Sequence, residues 1–150
     1  KSKGGGVLLD LSHEIDYMQY ILGDLSVSYS INKKVSNLEI DTDDYLLIFG
    51  ELYRGGLFNI ETSYFSKNTR RKIFIEIPNV SIELDIIKSQ MKIFTDLKEE
   101  MISEKNYNPA DTYVDQHQAI LSGDFSKICT LSEGLRTMEI ISEIQNKRDQ

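Results

Sequence analysis

Asp10, His13 and Asp16 stand three residues apart near the start of this 150-residue chain, directly after Gly4-Gly5-Gly6. A carboxylate near an imidazole can move a proton at neutral pH, and glycines let a backbone pass close to a ligand. The spacing admits three readings: the solvated face of an ordinary helix, an acid/base pair in which Asp10 orients or charges His13, or a set of metal ligands. The metal reading is the weakest, because ligands at i, i+3 and i+6 drift around a helix by roughly 120°. No metal site is expected.

The element that must position these residues is a helix. On a wheel of roughly 100° per residue, Leu8, Leu11, Ile15, Met18 and Leu22 form one apolar stripe. Asp10, His13, Tyr17 and Tyr20 gather on the opposite side, and Gly23 closes the run. The second face therefore offers a carboxylate, an imidazole and two phenols, an unusual set for a solvated surface.

Downstream, the pattern changes from helix to strand. Val27, Tyr29 and Ile31 alternate with polar residues, and 45–53 and 57–65 form two longer strands joined by a turn at Arg54-Gly55-Gly56. Residues 72–77 and 80–87 flank Pro78-Asn79, and 91–95 follow Lys88-Ser89-Gln90. Short turns imply antiparallel pairing, since parallel strands need long crossovers. The last third is helical again. Asp111 is a candidate N-cap for a helix to about Ser122, with Gly123 at its end. Thr130 and Glu133 have capping-box spacing for a helix to about Lys147, with Leu135, Met138, Ile141 and Ile144 as its stripe. The expected fold class is α+β, a single mainly antiparallel open sheet of about six strands with helices packed on one face.

Composition narrows the function classes. A formal charge of −7 and a pI near 4.8 argue against a nucleic-acid surface. The single cysteine, Cys129, permits no internal disulfide, which points to a cytoplasmic setting, and it reads as a small buried apolar residue. No apolar run is long enough for a membrane helix. Tyr45 to Phe49 is apolar on both sides, as is part of 57–65; this is either one deeply buried strand or a sheet with a second face for a partner chain.

The stretch Gly4 to Asp24 resembles the segment that opens the C-terminal domain of Gfo/Idh/MocA oxidoreductases, the family of glucose-fructose oxidoreductase and inositol dehydrogenase. The shared form is three glycines, an apolar stretch, an Asp, a spacer, His-x-x-Asp, and an apolar helix ending in Leu-Gly. Two residues separate Asp10 from His13 here, where the family usually has three; both spacings keep the pair on one helical face. Tyr113, Gln116 and Ile120 fall where the family tends to have Tyr-x-x-Glu and a Phe, and Glu133 to Ile141 is similar to its final helix.

The resemblance implies a substrate-binding and oligomerisation domain over residues 1–150, one half of a two-domain NAD- or NADP-dependent dehydrogenase acting on a sugar, cyclitol or sugar derivative. It implies His13 as proton acceptor and Asp10 as its partner, with Gly5, Gly6, Asp16, Tyr17 and Tyr113 at the substrate. On the wheel Asp16 turns away and is better suited to orienting the helix, while His117 falls at the pocket rim or on the surface. The family's Rossmann domain carries Gly-x-Gly-x-x-Gly and Glu-Lys-Pro motifs, and neither occurs here. The chain thus reads as a fragment lacking its nucleotide-binding half, expected to bind no cofactor and to be inactive alone, and to form a homo-oligomer through its open sheet. The alternative is a non-catalytic binding or dimerisation module with a degenerate site.

Overall fold

The computed structural model describes residues 5–104 and 108–148. In chain order the elements are α1 (Val7–Asp10), α2 (His13–Leu22), β1 (Leu25–Lys33), β2 (Tyr45–Leu52), β3 (Leu57–Ser63), β4 (Lys72–Ile77), β5 (Val80–Asp85), β6 (Gln90–Thr95), β7 (Glu99–Ser103), α3 (Pro109–Ser122), a 3₁₀ turn (Phe125–Lys127) and α4 (Leu131–Arg148). They group into two compact units, Lys1–Ser66 with Cys129–Gln150, and Lys67–Ile128.

In the first unit, β1-β2-β3 form an antiparallel sheet, with Ile48 opposite Ser30 and Ile60, and Gly50 opposite Val27 and Phe58. Period-2 alternation puts Leu46, Ile48, Phe58 and Ile60 on one buried face. That face meets Val7 and Leu8 of α1, Ile15 and Met18 of α2, and Ile140, Ile141 and Ile144 of α4 in a single core. Burying each such side chain contributes about 1.5–3 kcal/mol. The helical stripe expected at the N-terminus is the one that packs inward.

Two features of this unit differ from expectation. The N-terminal helix is interrupted at Leu11-Ser12, giving α1 and α2 in place of one run. The Val7 and Leu8 amides are pinned to Asp43, 35 residues from Leu8, so a long-range tie overrides local periodicity. On α4 the buried positions are Thr137, Ile140, Ile141 and Ile144, whereas Leu135 and Met138 are exposed. Thr137 turns inward because its hydroxyl donates to Asp16 Oδ1 on α2 at 3.2 Å. The capping box is present: Thr130 N–H donates to Glu133 Oε2 at 2.7 Å, and Glu133 N–H donates to Thr130 Oγ1 at 3.4 Å.

In the second unit, β4-β5-β6-β7 form an antiparallel meander. Among the described residues the seven strands therefore fall into sheets of three and four, where about six in one sheet were expected. The addition is β7, whose sequence Glu99-Glu100-Met101-Ile102-Ser103 has little strand character and is held by pairing with β6. Register gathers aliphatic residues on one face: Ile75, Ile82 and Ile93 in one cross-strand row, Ile73, Leu84, Met91 and Ile102 in the next. The opposite face is mixed, with Lys72 and Glu83 paired at 2.5 Å beside Phe74 and Lys92. Helix α3 starts one turn earlier than Asp111, because Asn108 Oδ1 accepts from Ala110 N–H at 3.1 Å with Pro109 in the first turn. Gly123, at φ 73°, ends it. Among the described residues of α3 only Ala119 is buried.

Candidate active site

The glycine-led start of α1 is shaped by Asp43. Gly6 has φ +107°, and a Cβ there would lie 2.5 Å from Asp43 Oδ1. Asp43, itself buried, accepts from Val7 N–H through its carbonyl at 3.1 Å and from Leu8 N–H through Oδ2 at 3.0 Å. Asp43 thus acts as an N-terminal cap supplied from the loop before β2. Gly5, at φ +90°, lies over Asp10, whose carboxylate oxygens are 3.7 and 3.8 Å from its Cβ position. Gly4 lies outside the described residues.

This cap bears on the nicotinamide dinucleotide that the family resemblance implies. A pyrophosphate on a glycine-led helix start uses free N-terminal amides. Here the first two amides of α1 are already occupied, Val7 N–H by the backbone carbonyl of Asp43 and Leu8 N–H by its carboxylate, so this turn does not fit a dinucleotide phosphate.

Asp10 ends α1, and its Oδ2 accepts from the Tyr64 hydroxyl at 2.6 Å. Burial, then the hydrogen bond and charge of Asp10, then the charge of Asp43, raise the Tyr64 phenol well above its ordinary value. It is therefore a donor at any physiological pH. Tyr64 is itself fixed: its amide donates to Asp44 O at 3.0 Å and its ring packs against the core.

His13 opens α2 with its side chain 49% exposed. Its Nε2 lies 3.1 Å from Glu14 Oε1, and Tyr17 donates its hydroxyl to Glu14 Oε2. Glu14, not Asp10, is the carboxylate next to the imidazole. The break at Leu11-Ser12 thus separates two small networks, Tyr64–Asp10 and Tyr17–Glu14–His13.

Asp16 points elsewhere. Its Oδ1 accepts from Thr137 and lies 3.8 Å from Cys129 Sγ, tying α2 to the head of α4. Cys129 is exposed, which corrects the expectation that it is buried; it sits at the start of the capping box and not in the helix interior. Partial desolvation and the nearby Asp16 and Glu133 charges raise its thiol above the ordinary value. Tyr113 lies on α3 in the second unit, exposed, with its carbonyl 2.6 Å from His117 Nδ1. His117 is likewise exposed.

Asp44, whose carbonyl accepts from the Tyr64 amide, carries a tightly held carboxylate. Asp44, fully buried, accepts from Val35 N–H at 2.7 Å, Ser36 N–H at 3.1 Å, Lys34 Nζ at 3.1 Å and the Ser36 hydroxyl. Burial alone would raise its pKa, but these donors outweigh it and hold the carboxyl far below the usual range. Lys34 Nζ also donates to the carbonyls of Ser36 at 2.6 Å and Leu38 at 2.8 Å, so the β1–β2 loop is folded around this one ion.

Sequence reasoning did not find Asp43, Asp44, Glu14 or Tyr64. For Tyr64 a signal existed: Phe58, Ile60, Thr62 and Tyr64 continue one face of β3, which puts a phenol at the end of a buried row.

Residues 1–150 match the family model described as the oxidoreductase family, C-terminal alpha/beta domain (GFO_IDH_MocA_C). The chain belongs to this family. The sequence matches no curated protein closely enough to count as a relative. Solved structures share the fold at low identity. UDP-N-acetylglucosamine 3-dehydrogenase GnnA from Acidithiobacillus ferrooxidans superposes with TM-score 0.73 at 16% identity, covering 89% of this chain and 44% of that one. WlbA dehydrogenase from Bordetella pertussis, in complex with NADH and UDP-GlcNAcA, gives 0.69 at 15%, covering 97% and 46%. A super-repressor mutant of Gal80p from Saccharomyces cerevisiae gives 0.72 at 17%, covering 95% and 47%. The chain spans less than half the length of each of these proteins. Among the described residues no three His, Cys, Asp or Glu side chains are placed to hold a metal ion, and no helix is long and apolar enough to cross a membrane.

Proposed function

We propose that this chain is the substrate-binding and assembly half of an NAD- or NADP-dependent oxidoreductase acting on a sugar, cyclitol or sugar derivative. The observation that carries the reading is the pair of exposed groups, Asp10 and His13, presented by α1 and α2 in a chain of this family. The capped start of α1 agrees with a dinucleotide held by another part of the whole protein, where the nicotinamide would take up a hydride. His13 accepts the proton of the reacting hydroxyl, and Glu14, 3.1 Å away, stabilises the imidazolium that forms. Asp10 accepts a hydrogen bond from a substrate hydroxyl. Gly5 keeps the approach to Asp10 open. Asp16 and Tyr17 act mainly through α4 and Glu14. This chain on its own is expected to turn over no substrate.

The aliphatic face of β4–β7 supports the assembly role: Ile77 and Ile102 are 54% and 48% exposed, and α3 buries only Ala119. A second copy of the chain packing there gives a homo-oligomer. Sedimentation at micromolar concentration should show a dimer or larger, and Ile82→Lys should release monomer.

A second reading, a non-catalytic binding module, draws on the super-repressor among the similar structures and on the different partners of Asp10 and His13, Tyr64 and Glu14. The whole protein decides between them. Motifs Gly-x-Gly-x-x-Gly and Glu-Lys-Pro upstream, with formation of NADH or NADPH from inositol, glucose or UDP-N-acetylglucosamine, support the enzyme. Upstream sequence lacking both motifs, with no turnover, supports the module.

A further inference from the structure

A carboxylate that must receive one substrate hydroxyl needs one oxygen committed and the other free, because a freely rotating carboxylate presents both in many orientations. Asp10 is exposed at the end of a four-residue helix, a place where its side chain would otherwise rotate. Its Oδ2 is held at 2.6 Å by the hydroxyl of Tyr64, from a strand end 54 residues away. The anchor behind Tyr64 is rigid: its amide is bonded to Asp44 O, and the Asp44 carboxylate ties down the loop from Lys34 to Ser36. Asp10 Oδ1, by contrast, makes no hydrogen bond among the described residues.

We propose that Tyr64 is a positioning residue: it fixes the Asp10 carboxylate through Oδ2 and leaves Oδ1 to accept the hydrogen bond of a substrate hydroxyl. This rests on the oxidoreductase reading above. The same arrangement explains why an acidic site tolerates a phenol at its edge. With Asp10 and Asp43 both close, Tyr64 stays protonated and cannot exchange roles with its acceptor.

The test compares wild type, Tyr64→Phe, Asp10→Asn and the double variant in the complete enzyme, with ¹³C-labelled aspartate to read the Asp10 rotamer by NMR. The expected result is a single Asp10 rotamer in wild type and averaging in Tyr64→Phe. Turnover of the best of inositol, glucose and UDP-N-acetylglucosamine should then fall about tenfold, the size of one hydrogen bond to a charged group. The KM for the nicotinamide cofactor and the melting temperature should hold, and the double variant should be no slower than Asp10→Asn. A single Asp10 rotamer in Tyr64→Phe overturns the proposal. So does unchanged Tyr64→Phe turnover alongside a damaged Asp10→Asn, which leaves the oxidoreductase reading standing. Unchanged turnover in Asp10→Asn removes Asp10 from the mechanism and the proposal with it.

Discussion

In β1–β3 the inward residues Leu46, Ile48, Phe58 and Ile60 are covered by helices at both ends of the chain, and the covered sheet in turn holds α1, α2 and the end of β3 in place. In β4–β7 the aliphatic rows are as rich, yet of all their residues only Ile73 is buried. The first sheet buries its apolar face under the helices of its own unit, and α1, α2 and the end of β3 carry the acid, the imidazole and the phenol. The second carries no such cluster among its described residues and leaves most of its apolar face half-buried, with Ile77 and Ile102 exposed. The same strand chemistry therefore yields a positioning platform in one place and a surface in the other; what differs is whether the chain supplies a cover.

Matched truncations should make that contrast largest. Ile48→Ala, at a fully buried site, should cost about 2–5 kcal/mol in urea unfolding, whereas Ile77→Ala should stay within about 0.5 kcal/mol when the chain is dilute. An Ile77→Ala cost that grows with protein concentration would show the second face covered by another copy. Acid should separate the units next. Asp44 has a folded-state pKa below its unfolded value near 4, so the stability it supplies is complete above about pH 4 and is lost as pH falls further. Fluorescence or NMR of the first unit should show acid loosening that Asp44→Asn, already lacking the ion, does not share. The smallest effect belongs to α3, where Asn108→Ala should remove about 1 kcal/mol of local helix stability by hydrogen exchange and leave the first unit unmoved.

Much of this architecture was legible in the residues. Alternation and the turns at Gly55-Gly56 and Pro78-Asn79 located six strands, and Thr130 with Glu133 located α4, because each of these signals is local. The apolar stripe of the first helix was legible for the same reason, as was the outward placing of Asp10, His13 and Tyr20, whereas Tyr17 packs partly against the core. The rest depends on residues far apart in the chain. Asp43 reaches 35 residues back to cap α1, and Tyr64 reaches 54 residues back to Asp10; no periodicity encodes either tie. β7 escaped because its pairing partner, not its own composition, makes it a strand. One continuous wheel was expected for Asp10 and His13, but the helix breaks at Leu11-Ser12, and Asp10 is bonded to Tyr64 while His13 lies beside Glu14.

The account's central claim is that the first unit carries the chemistry through His13. Its most direct test is turnover of the complete enzyme bearing His13→Ala, with Tyr113→Phe as the comparison in the second unit. The account predicts a loss of about 10²–10⁴-fold for His13→Ala with the melting temperature unchanged, and a far smaller loss for Tyr113→Phe. Wild-type turnover in His13→Ala would contradict it.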